Sequence, residues 1–166
     1  LKCIWGLQNI PWICNLYDKK KNYGKRVYII GPKQHLWLAA SPPAMAQTVA
    51  TQVESLFDIP TKTIANFLSL TLTPSNQIIH PARYYSIFRD WDGKKTYTMK
   101  DFEERNALEL YRDMDEFGAE QLAQLDAELQ IIKHGLLDRY PQLDLSRVMP
   151  IGERVVFQYG PDVTDR

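Results

Sequence analysis

Up to about residue 40, apolar residues come in short runs rather than at helical spacing: Lys2–Trp5, Ile10–Cys14, Arg26–Ile30 and His35–Ala40. Runs of this length, rich in β-branched and aromatic residues and bounded by turn formers, predict β-structure over residues 1–40. The Gly31-Pro32 break between the last two runs suggests neighbouring strands joined by a tight turn. Both runs are apolar at successive positions, the pattern of strands covered on both faces by helices.

The period then changes. Ser41-Pro42-Pro43 reads as a helix start, a serine cap followed by proline in the first turn. Ala46, Val49, Ala50, Val53, Leu56 and Phe57 form one apolar stripe, which Asp58-Ile59-Pro60 ends. Residues 63–72 suit either a strand or the first part of a helix. Thr73-Pro74 restarts a helix, with Thr73 as cap and Pro74 at the first position, expected to run through Phe88 and stop near Asp92-Gly93. Leu108, Tyr111, Asp115, Leu122, Leu125, Leu129, Ile132, Leu136 and Tyr140 keep mostly three- and four-residue steps. They predict one long amphipathic helix, or two broken near Gly118, stopped by Pro141. Asp144 or Ser146 caps a last helix toward Phe157. A β-rich edge followed by a helical layer fits the end of one α/β domain joined to the start of a helical one. The expected boundary lies between residues 1–40 and 41–166.

Composition narrows the function classes. The 166 residues carry 20 basic and 20 acidic side chains. Zero formal net charge disfavours a general nucleic-acid or anionic-membrane binder. The one basic run, Lys19-Lys20-Lys21 extended by Lys25 and Arg26, sits beside Tyr17, Asn22, Tyr23 and Gly24 and reads as a solvated turn. Cys3 and Cys14 form no framework of disulfides, and His35, His80 and His134 are too scattered for a preformed metal site, so a reducing cytoplasm is the default. Neither a signal peptide nor a membrane-length apolar stretch stands in the chain. It opens on Leu1 and stops at Arg166 without a closing element, as expected of an internal piece.

Candidate chemistry concentrates in Thr73–Tyr85. On a helix, Asn76, His80, Arg83 and Tyr84 lie three or four residues apart on one face, while Ile78, Ile79, Ala82 and Ile87 make the others apolar. Such a polar stripe suits the lining of a pocket. Pro81 lacks the N–H that would bond Gln77 and is expected to bend the helix beside His80. Histidine titrates nearest neutral pH and is the commonest general acid/base, although a core histidine bonded to a backbone carbonyl fits the same residues. Cys14 reads as a buried small apolar group, because no cation near it in sequence would lower its pKa. His35 and His134 read as structural or solvated. Asp101, Glu103, Glu104, Asp113, Asp115 and Glu116 read as helix caps and solvent-facing charges. No GxGxxG, GxxxxGK[ST] or GxSxG occurs.

Four stretches in order carry a family resemblance: Ile10-Pro11-Trp12-Ile13-Cys14; Tyr23-Gly24-Lys25-Arg26-Val27 with Ile30-Gly31-Pro32-Lys33; Ile79-His80-Pro81-Ala82; and Trp91-Asp92-Gly93-Lys94. The chain resembles the opine dehydrogenases of the octopine type, invertebrate cytosolic enzymes, from about residue 5 to residue 95. The resemblance implies the last strands of a Rossmann domain followed by a mainly α-helical substrate domain. It implies NAD(H), bound mainly by sequence outside this chain, with an amino acid and pyruvate as small-molecule substrates. In such enzymes the two substrates form an imine that is then reduced by hydride. His80 would be the general acid/base, held in its tautomer by an aspartate far downstream of this chain. Cys14, Gln8 and Asn9 would lie near the amino acid. Asn76 and Arg83 are further candidates for substrate contact; Arg83 would either grip the keto-acid carboxylate or, the reading preferred here, be a surface charge. Two other readings stay open: a Rossmann-plus-helical dehydrogenase of another 2-keto or 2-hydroxy acid, and a helical interaction module whose Asn76–Tyr84 stripe binds a partner helix.

Overall fold

The computed structural model describes residues 2–16, 25–105, 111 and 113–159. The turn read at Lys19-Lys20-Lys21 and the helical position of Leu108 lie outside them. The chain divides into two compact units, Leu1–Thr73 with Arg139–Arg166, and Pro74–Asp138.

The first unit is built on a central strand. In sequence order its strands are β1 (Ile4–Leu7), β2 (Trp12–Leu16), β3 (Val27–Pro32), β4 (Leu36–Ser41) and β5 (Thr61–Thr63). β4 is flanked by antiparallel β1 and parallel β5, and helix α1 (Ala46–Phe57) makes the crossover between β4 and β5. Leu36, Leu38 and Ala40 are buried against Ala46, Val49 and Val53 of α1 and against Ile59. This explains the unbroken apolar run: only a strand paired on both edges and covered can bury successive side chains. α1 ends where Asp58 adopts the left-handed conformation (φ 54°) and its N–H reaches the Glu54 carbonyl. Aspartate is among the few side chains that enter that region at modest cost. The Glu54 carboxylate accepts from the Thr61 N–H at 3.0 Å, which fixes the entry to β5.

The hairpin expected between β3 and β4 does not form. β3 runs on through Gly31 and Pro32 and pairs antiparallel with β2, with a bulge between Ile13 and Cys14. The Lys33 N–H donates to the Pro11 carbonyl at 2.9 Å and extends that ladder. Nor is β3 covered: Val27, Tyr28, Ile29 and Ile30 are exposed on both faces. The two helix starts also differ from expectation. Ser41 is the last residue of β4, followed by a cis peptide to Pro42 and a 3-10 turn at Pro43–Met45, and no side chain caps α1. Thr73 donates its hydroxyl back to the Ser69 carbonyl at 2.8 Å, so it is not free to cap a following helix. The ambiguous stretch begins on the last residue of β5 and then holds one helical turn, α2 (Leu68–Thr71).

The returning segment closes the first unit. Leu145 and Val148 are fully buried. The Asp144 carbonyl accepts from Asn66 Nδ2 at 2.8 Å and from the Ser69 hydroxyl at 3.2 Å. The last helix (Ile151–Tyr159) begins after Pro150. Asp144 and Ser146 do not cap it: the Asp144 carboxylate is taken by the N–H and hydroxyl of Ser146, which closes a turn of its own.

In the second unit, helix α3 (Asn76–Phe88) runs through Pro81 and starts at Ser75. Gly93 takes φ +83° in the turn beyond it, beside Asp92, whose carboxylate accepts the N–H groups of Lys94 and Lys95. Helix α4 (Met99–Glu104) opens on a capping box between Thr98 and Asp101. Phe88 meets the rings of Tyr97 and Phe102 edge to face, and Arg105 clasps Asp90 through both terminal nitrogens, at 2.9 and 2.8 Å.

The long helix, α5, is a single element from Glu116 to Arg139 and ends before Pro141. Tyr111 and Asp115 precede it, and Ile132 is half exposed, so the core-facing stripe is narrower than its spacing suggested. Gly118 marks its first turn, not a break. A Cβ there would come within 3.2 Å of Ser86 Cβ and 3.0 Å of the Asp115 carboxylate. Asp115 is the true start signal. Its Oδ1 accepts from the Gly118 N–H at 2.9 Å and from the Ser86 hydroxyl on α3.

The Ser86 hydroxyl foremost, with the Gly118 N–H and nearby Arg89 and Arg83, holds the Asp115 carboxyl below its usual value of 3.8. A folded-state pKa below the unfolded one contributes stability that is present above about pH 4 and lost as pH falls through the folded value. Asp115→Asn should therefore lower stability at neutral pH and flatten its pH dependence below pH 4, as read by acid titration of the circular dichroism signal. An unchanged acid profile in that variant would deny Asp115 this part.

Candidate functional site

α3 brings two of the sequence candidates together with a residue that the sequence did not flag. His80 is half-buried. Its Nε2 lies 3.1 Å from the Tyr111 hydroxyl oxygen, and that hydroxyl donates to Asn76 Oδ1 at 3.0 Å. Asn76 and His80 sit one helical turn apart, so a single hydroxyl reaches both. The Tyr84 ring stands edge-on to the imidazole one turn further, at 6.5 Å between centroids. The polar stripe is thus Asn76, His80 and Tyr84, open on one side to solvent.

Arg83 does not belong to it. The residue is 2% exposed, so the surface-charge reading is wrong. The buried arc of α3 comprises Ile78, Ala82, Arg83, Ser86 and Ile87. Arg83 shares it because its position falls between those of Ile87 and Ser86 around the helix. Its charge bears on Asp115 instead.

A groove of about 260 Å³ runs between α3 and α5, lined by Pro81, Ala82, Tyr85, Gln121, Leu125 and Glu128 among others. It begins at the proline next to His80, but the imidazole does not line it.

The other candidates lie in the first unit. Cys14 is exposed on the bulged strand, not buried as expected. Asn9 is spent on β4: its Nδ2 donates to the His35 carbonyl at 2.9 Å and its Oδ1 accepts the Trp37 N–H at 3.2 Å. Gln8 Nε2 donates to the Thr73 hydroxyl at 3.1 Å and to the Arg147 carbonyl at 3.4 Å. Beside Asn9 opens a second cavity of about 290 Å³, lined also by Gln34, His35, Trp37, Lys62 and Phe157. The Arg147 guanidinium lies over the Trp37 ring, 3.6 Å from its centroid, and burial pushes its pKa down. Nothing in the local sequence marked this cavity. Among the described residues no group of three or more His, Cys, Asp or Glu could hold a metal ion. None of their helices is long and apolar enough to cross a membrane.

Comparison with known proteins places the chain. The family described as NAD/NADP octopine/nopaline dehydrogenase, alpha-helical domain, matches residues 63–166. The chain belongs to this family. An uncharacterised protein of Sinorhizobium fredii, y4xO, is 30% identical over 98% of the chain and 41% of its own length. The opine dehydrogenase of Haliotis discus hannai is 26% identical over 98% of the chain and 38% of its own length. Among solved structures, octopine dehydrogenase with NADH and L-arginine superposes with a TM-score of 0.70 at 22% identity, over 98% of this chain and 38% of that one. The chain therefore spans about two fifths of the relatives that it matches. The fold of the chain, a small sheet with helices followed by a helical domain, agrees with the expected Rossmann end-piece and mainly α-helical domain.

Proposed function

We propose that this chain is the substrate-side part of an NAD(H)-dependent opine dehydrogenase that reductively condenses an amino acid with pyruvate, with His80 as general acid/base. One observation carries the reading: in a chain of this family, the α3 imidazole is half-buried and bonded at Nε2 to a hydroxyl that Asn76 also holds. A ring so held, and wet on one side, can give and take a proton without reorienting. Arginine, agmatine and pyruvate occur with NADH in the octopine dehydrogenase complexes that share the fold of this chain.

The boundary that we assign between nucleotide and substrate domains is near residue 40. No glycine-rich phosphate loop stands in the chain, so we assign the nucleotide, whose chemistry is hydride delivery, mainly to sequence outside it. Cys14 remains our candidate beside the amino acid, because its side chain is exposed. Gln8 and Asn9 support that region through the β4, Thr73 and Arg147 contacts already described.

The test uses the full-length enzyme. NADH oxidation, followed by absorbance, should require pyruvate and an amino acid together. Oxidation with pyruvate alone would replace this reading with a simple keto-acid reductase.

A further inference from the structure

The segment that leads into α5 touches α3 at two separate points, both within the second unit. Tyr111 Oη lies 3.1 Å from His80 Nε2 and donates to Asn76 Oδ1 at 3.0 Å. Four residues on, the Asp115 carboxylate accepts the hydroxyl of Ser86, a residue only 4% exposed. From His80 to Ser86 the helix rises about 9 Å. Four residues of extended chain span at most about 14 Å, so the step from Tyr111 to Asp115 is long enough to meet α3 at both points.

The Asp115 point is the better built of the two. The oxygen that accepts from Ser86 also accepts the Gly118 N–H at 2.9 Å, and Arg89 Nη1 stands 3.8 Å from the other oxygen. Glycine at 118 allows the close approach, since a Cβ there would meet both Ser86 and the carboxylate. Hydrogen bonds to an ionised carboxylate are about twice as strong as neutral ones. Asp115 thus decides where the segment lies, and Tyr111 follows.

We infer that Asp115 is a positioning residue: by tying the start of α5 to Ser86 on α3, it sets the Tyr111 hydroxyl against Asn76 and His80. This role rests on the acid/base reading of His80 and adds a remote residue on which the setting of that ring depends. Tyr111 acts beside any group beyond this chain that meets the imidazole, and neither excludes the other. Asp115 supplies acceptor geometry here rather than charge. An asparagine at that position keeps a side-chain oxygen able to accept from both Ser86 and Gly118.

The test is a double-mutant cycle on turnover in the full-length enzyme, with kcat referred to folded protein by circular dichroism. Tyr111→Phe keeps the ring and removes the hydroxyl; it should lower kcat about tenfold with the KM for NADH unchanged. Asp115→Ala should do the same, and Asp115→Asn should restore most of the loss. Because Asp115 acts through Tyr111, the double variant Tyr111→Phe with Asp115→Ala should be no slower than Tyr111→Phe alone. A merely structural role would make the two losses multiply, to about a hundredfold. Should Asp115→Ala fail to fold, Ser86→Ala deletes the α3 end of the same contact and completes the cycle in its place. Multiplied losses, or undiminished turnover in Tyr111→Phe, overturn the inference. Full turnover of His80→Ala would instead overturn the acid/base reading beneath it.

Discussion

His80→Ala in the full-length enzyme should reduce NADH-dependent condensation by about 10²- to 10⁴-fold, the usual worth of one positioned acid/base group. The loss should fall on kcat as well as kcat/KM, because proton transfer belongs to the transition state and not to ground-state binding. NADH affinity, measured by fluorescence titration, should stay close to wild type, since no nucleotide contact is assigned to α3. His80→Gln separates proton transfer from shape. A glutamine amide could still donate toward the Tyr111 hydroxyl, yet it cannot take up a proton near neutral pH. Both variants should therefore be about equally impaired. A glutamine variant that retained most of the turnover would reduce the imidazole to a hydrogen-bond donor and remove it from acid/base chemistry.

How much of this was legible in the sequence depends on the range over which each signal acts. The α1 stripe apart from Leu56, which is exposed, the end of α3 near Gly93 and the stop before Pro141 were readable because each rests on residues within one or two turns. Strand pairing was not. Gly31-Pro32 announces a local break, but whether β3 pairs with β2 or with β4 is decided by what else can satisfy its backbone, a long-range matter.

Caps failed for a related reason. Ser41 and Thr73 are the right residue types, but one is committed to a strand and the other to the Ser69 carbonyl. Spacing placed Arg83 beside His80 correctly on the helix, yet a three-residue step leads to the flank of the face, and packing assigned that flank to the interior. Tyr111 is 31 residues from His80 and was read as part of a helical stripe. No periodicity links a residue ahead of α5 to the middle of α3; the contact is long-range.

The contrast between β4 and β3 gives the second large expectation. Both strands look alike on paper, with apolar side chains at successive positions, but Leu38 is 0% exposed and Ile29 is 53% exposed. Leu38 lies at the centre of the core, on the strand paired on both edges, facing α1. Truncation to alanine there removes buried methyl groups and leaves a cavity that flanking strands cannot close, at a cost of about 2–5 kcal/mol. For a chain of this length, that corresponds to a fall of roughly 5–15 °C in melting temperature. Ile29→Ala deletes a similar volume from a strand that the described residues leave uncovered, and should change stability by about 0.5 kcal/mol or less. Thermal denaturation of the two variants side by side measures the difference. Equal destabilisation would mean that β3 is buried against something in solution, and the division into a covered central strand and an exposed ribbon would have to be redrawn.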